Sequence, residues 1–183
     1  MEYEAFMRKV ILFIAMSLDG YIADSEGKVG WLGGQGNDEE KIDTYSEFVA
    51  NVDTVVMGWN TYYQVITELS LEEWVYSGLE SYVVTHRDCS STEMIRFTSE
   101  EPCSLIRELK KKDGKDIWIC GGADIVRQLM AEDLIDVYYV SVIPILLGKG
   151  IRLFGGSGKE IPLKLTKTQS YDGITELVYE HRR

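Results

Sequence analysis

The sequence predicts an α/β domain in three layers, a mostly parallel central sheet between helices, extended by a C-terminal antiparallel hairpin. Two observations carry this expectation. Short apolar runs of strand length alternate with segments of helical spacing, the pattern of crossover units joining parallel strands. Near the end, two further runs meet at Asp172-Gly173, a strong signal for a two-residue hairpin turn.

Each element follows in chain order. Residues 1–7 read as a leader and residues 8–183 as one domain. Residues 9–16 are continuously apolar, as in a strand buried on both faces, and too few to span a membrane. Residues 21–36 are glycine-rich, read as irregular, and carry Trp31. Asn37 or Asp38 can cap a helix running to Asn51, with Ile42, Tyr45, Phe48 and Val49 at helical spacing. A second buried strand over 54–57 meets Gly58, which turns the chain into a short helix over 61–67. Residues 70–79 carry no readable pattern. Strands follow over 82–85 and 94–97, then a helix over 104–112 whose Lys110-Lys111-Lys112 suits its negative end. A strand over 116–120 stops at Gly121-Gly122, and a helix begins over 123–130. Residues 136–143 form a strand, 144–158 a loop, and 163–171 with 174–181 the hairpin.

Bulk properties narrow the function. Hydrophobic residues make up 45% of the chain and charged residues 27%, the balance of a globular protein. A formal net charge of -11 argues against a nucleic-acid surface, which needs a basic face. An anionic ligand must then be held by local dipoles and a few placed cations. Cys89, Cys103 and Cys120 lie in no metal-ligand spacing, which predicts reduced thiols in a cytoplasmic protein. With His86 and His181 the only histidines, a His-rich metal site is excluded.

The glycine pair is the most informative motif. Two residues without Cβ let a ligand approach the backbone, and the amides of the helix opened by Ala123 and Asp124 face it. The junction predicts a phosphate-bearing ligand, a nucleotide cofactor; the plain alternative is a tight turn. Gly58-Trp59-Asn60-Thr61 repeats the logic, with Thr61 either capping a helix or donating to a phosphate. Thr85 and Arg87 end a third strand, where Arg87 either pairs with a phosphate or is a solvated turn residue. Strand ends of such sheets share one rim, which gathers Ala15, Ser17, Gly58, Thr85 and Gly121. Asp19 and Gly20 make a sharp turn after the first strand. Asp43 either faces the rim as a proton-delivering acid or is one more surface acid. Trp31 either walls a pocket or covers the core. Gly34-Gln35-Gly36 fails as a dinucleotide fingerprint because Glu39 stands where its last glycine belongs. Gly158-Lys159 fails as a P-loop because Glu160 follows.

Taken in order, Ser17-Leu18-Asp19-Gly20-Tyr21-Ile22-Ala23, Val56-Met57-Gly58-Trp59-Asn60-Thr61-Tyr62, Gly121-Gly122-Ala123 and Pro144-Ile145-Leu146-Leu147-Gly148-Lys149-Gly150 resemble a known family. It is the dihydrofolate reductase-like domain of bacterial pyrimidine reductases of riboflavin biosynthesis, with its stand-alone relatives. The resemblance implies a dihydrofolate reductase-like fold and hydride transfer from NADPH to a pterin-like or pyrimidine-like ring. It implies a pyrophosphate held by Gly121, Gly122, Ala123 and Asp124, with Gly58, Asn60 and Thr61 on the other side of the cofactor. Thr85 and Arg87 would lie by the adenosine and Asp19 and Gly20 by the nicotinamide, with Ala15 also on the cofactor. Ser17 and Trp31 fall on the substrate side, and Asp43 near the family's pocket acid. The family usually has arginine where this chain has Trp59, so NADH remains open beside NADPH. A catalytically silent nucleotide-binding protein of the same fold is the alternative. The 136–143 strand and terminal hairpin are the expected interface of a homodimer.

Overall fold

In the computed structural model, which describes residues 7–36, 39, 42–156 and 158–182, one eight-stranded sheet organises the chain. Its strands are β1 (Val10–Ser17), β3 (Val52–Gly58), β4 (Glu80–Val84), β5 (Ile95–Thr98), β6 (Asp116–Gly121), β7 (Val137–Ile143), β9 (Leu163–Tyr171) and β10 (Ile174–His181). Their order is β5-β4-β3-β6-β1-β7-β10-β9. The first six run parallel, and β10 pairs antiparallel with both β7 and β9. The three-layer expectation holds.

Apolar runs produce the inner parallel strands β1, β3, β4, β6 and β7 because both sheet faces are covered there. Alternate residues go to opposite sides. Val10, Leu12, Val56, Ile117 and Ile119 join Leu105, Ile106, Leu109, Val126 and Leu129 from α3 (Pro102–Lys110) and α4 (Ala123–Ala131). On the other face Val55, Met57, Val83 and Trp118 meet Phe48 of α1 (Thr44–Val49). Trp59 and Tyr62 of α2 (Trp59–Gln64) pack against that second core. At the opposite end of the sheet from the rim, Arg8 is buried and donates to Asp53, to Thr54 Oγ1 at 2.6 Å and to Leu109 O at 3.2 Å.

Several elements differ from expectation. The predicted cap at Asn37 or Asp38 lies outside the described residues; the helix observed there is only Thr44–Val49, with Asp43 as its N-cap. Ile42 and Tyr45 are exposed, so their helical spacing does not mark a buried stripe. The helix after β3 starts at Trp59 and passes into a π turn over Val65–Leu69. The 21–36 and 144–158 segments each contain a short strand, β2 (Tyr21–Ala23) and β8 (Ile151–Arg152), paired antiparallel. The terminal hairpin matches its prediction, and Asp172 and Gly173 adopt the positive φ values, 48° and 75°, that its turn requires. Since β7 lies between β1 and β10, it has no unpaired edge; β9 is the hairpin strand at the sheet edge.

Candidate functional site

The parallel strands end along one rim, and a cleft of about 920 Å³ opens there. Register places Met57 opposite Gly121, so Gly58 and the glycine pair stand side by side. A Cβ at Gly58 would lie 3.8 Å from Gly122 N, and one at Gly122 would lie 3.5 Å from Thr61 Oγ1. Two helix starts therefore converge within van der Waals contact. Neither N-cap, Gly58 or Gly122, carries a side chain to occupy the first amides. Gly121 holds φ at +133°, a conformation side chains rarely adopt, and its peptide to Gly122 is cis. Among the described residues, the side chains of Asn60 and Thr61 make no hydrogen bond.

Of the residues expected at the site, Ala15, Gly58, Asn60, Thr61, Thr85, Gly121, Gly122, Ala123 and Asp124 line this cleft. Asp124 is ion-paired with Arg127 and accepts from Gln128 Nε2 at 3.0 Å, so its carboxylate is engaged within the helix. Arg87 lies just outside, with its guanidinium 4.7 Å above the Trp59 ring. Its N–H donates to Thr85 Oγ1 at 3.1 Å, which fixes the turn leaving β4.

The remaining expected residues are not brought to the cleft. Ser17 is fully buried: its hydroxyl accepts from Tyr21 N–H at 2.9 Å and donates to Asp19 Oδ1 at 2.6 Å. Asp19 also accepts from the N–H groups of Leu147 at 3.1 Å and Gly148 at 2.7 Å. The Ser17 hydroxyl, with the two amides, brings its pKa down to about 2. Asp19 and Gly20 thus fasten the first turn to the loop after β7 instead of bordering the cleft. Asp43 accepts from Ser46 N at 3.0 Å, and Ser46 holds its carboxyl below the ordinary value. It is a helix cap, away from the cleft wall. Trp31 donates Nε1–H to Lys28 O at 3.1 Å and lines a separate depression of about 500 Å³ with Asp24, Leu69 and Leu147.

The cleft has walls that the sequence did not single out. Glu26, Gly27, Val29 and Leu32 come from the glycine-rich loop, which Gln64 ties down by donating to Gly27 O at 2.9 Å. His86 stands between Thr85 and Arg87, a neighbour its position alone could have suggested. Tyr76 and Cys120 complete one wall, and burial pushes the Cys120 thiol up to about 11. Glu26, Glu68, Glu100, Glu101 and Asp124 also line the cleft, so its amide cradle works against an acidic surround. Among the described residues, no group of three or more His, Cys, Asp or Glu could hold a metal ion. No described helix is long and apolar enough to cross a membrane.

Comparison with known proteins agrees with this fold. The model of the RibD C-terminal domain matches residues 8–178. The uncharacterised protein YwjB of Bacillus subtilis (strain 168) is 37% identical over 176 residues, covering 94% of this chain and 97% of YwjB. A solved structure from Shewanella sp. PV-4, named for riboflavin biosynthesis, superposes with a TM-score of 0.83 at 30% identity, covering 96% of this chain and 99% of that one. Enterococcus faecalis dihydrofolate reductase, solved with NADP(H), shares the fold at TM-score 0.67 and 17% identity, covering 97% and 99% of the two chains.

Proposed function

The chain belongs to the RibD C-terminal domain family, and from that premise we propose that it is a reductase acting on a pterin-like or pyrimidine-like ring with NADPH. The meeting of two uncapped helix starts at Gly58 and Gly122 carries the reading. Amides and helix dipoles at that junction suit a pyrophosphate, and glycine leaves the backbone open to it. Asn60 and Thr61 have side-chain donors to spare on the same side. Arg87 supplies a cation at the third strand end, which favours NADPH over NADH. When bound, the nicotinamide supplies the hydride.

The chain's own contribution is positioning. Ile14 and Ala15 form the floor at the end of β1, and the tethered loop through Gly27 and Val29 narrows access for water. With Asp43 engaged as a cap, the proton comes from water admitted at the cleft mouth. Titration of NADPH and NADH against tryptophan fluorescence tests the first step, since Trp59 lines the cleft. Quenching is expected; no response to either, together with no calorimetric heat, overturns the proposal. Loss of near-ultraviolet absorbance with a panel of oxidised rings tests the transfer.

A second reading, cofactor binding without hydride transfer, is favoured by the position of Asp43 outside the cleft. It predicts quenching with no absorbance change across the panel. We also propose a homodimer, built through the open edge of β9.

A further inference from the structure

Tyr76 comes from the stretch before β4 whose sequence carries no readable pattern, yet it forms part of the cleft wall. Its hydroxyl lies 3.6 Å from Sγ of Cys120, the residue that precedes the glycine pair. Two indoles fix the ring. Trp118 meets it edge-on with centroids 5.0 Å apart, and Trp74 does so at 5.2 Å. Both are anchored in turn, Trp118 by donating to Phe13 O at 2.9 Å and Trp74 by donating to Ser81 Oγ at 3.0 Å. Tyr76 is thus a rigidly held side chain in the wall of a ligand-sized opening.

Its hydrogen-bonding capacity is largely unspent. Tyr82, Tyr139 and Tyr171 all donate to carboxylates. Among the described residues, the Tyr76 hydroxyl has only a thiol, a weak partner that an oxygen or nitrogen of a ligand readily displaces. The other tyrosine of the cleft, Tyr63, is 53% exposed, so water competes for its hydroxyl. Burial pushes the Tyr76 hydroxyl and the Cys120 thiol well up, so this wall carries no charge at neutral pH.

We propose that Tyr76 is a substrate-contacting residue that recognises an uncharged, flat heteroaromatic ring. Its O–H turns from Cys120 Sγ to a carbonyl oxygen or ring nitrogen, while the ring lies along the Tyr76–Cys120 wall. The proposal rests on the reductase reading for the identity of the ligand, but the contact itself is read without turnover. Tyr76 keeps its own proton and acts by holding the ring in place.

Calorimetry with lumazine, a neutral bicyclic pteridine, tests it on the whole protein with and without NADPH. Tyr76→Phe keeps the ring packed between Trp74 and Trp118 and removes only the hydroxyl. Its lumazine affinity is expected to fall about tenfold, the worth of one hydrogen bond. NADPH affinity and the thermal midpoint are expected to match the unmodified protein. Equal lumazine affinity in Tyr76→Phe, or no lumazine binding to the unmodified protein, overturns the proposal. Loss of lumazine binding in Tyr76→Phe when NADPH binds neither protein supports the contact and removes only the cofactor reading.

Discussion

Asp19 and Glu176 show how single carboxylates can serve architecture instead of chemistry. Asp19 has its pKa moved from the ordinary 3.8 to about 2, so folding favours its charged form. The stability this confers is present above the ordinary value and is lost as pH falls through about 2. Asp19→Asn is therefore expected to unfold at lower urea concentration than the unmodified protein at pH 7, with the two midpoints converging toward pH 2. Glu176, only 1% exposed, works at the hairpin. Burial alone would raise its pKa, but donors on Gln169, Tyr171, Tyr139 and Thr44 outweigh burial and hold it below the ordinary value. Glu176→Leu strands those donors and is expected to cost about 2 kcal/mol in urea unfolding. A lone acid in an alternating strand reads as solvent-facing, which is why sequence reasoning passed over Glu176. Asp43 was open between a rim-facing acid and a surface acid, and local spacing could not choose; in the fold Ser46 claims it as a cap.

At the level of elements, the glycine pair was legible because a strand, two residues without Cβ and an amphipathic helix are consecutive in the chain. Gly121→Ala is expected to cost about 2 kcal/mol, since φ of +133° strains any residue with a Cβ. The same variant is expected to weaken NADPH binding more than tenfold by fluorescence titration; unchanged affinity would count against the cradle. The buried strands were equally legible, because residues covered on both faces leave continuous apolar runs. The β2–β8 ribbon was not, since strands of two or three residues are set by tertiary pairing and carry no period of their own. Tyr76 was hidden for a similar reason: its place depends on Trp74 and Trp118, and local pattern says nothing of that.

For the whole molecule, the unpaired edge of β9 is the outstanding surface. Its residues are mostly exposed, and an uncovered edge invites pairing. Sedimentation is expected to show twice the chain mass; a lone 20.8 kDa species at all concentrations would sink the homodimer. The sheet order has a consequence for how the protein is made. β6 lies between β3 and β1, although it is translated after β3, β4 and β5. Until residues near 121 leave the ribosome, the earlier strands have a gap at the centre and no shared ligand-binding edge. Nascent chains shorter than this are thus expected to be blind to the cofactor, and binding competence to arrive in one step with the insertion of a single strand.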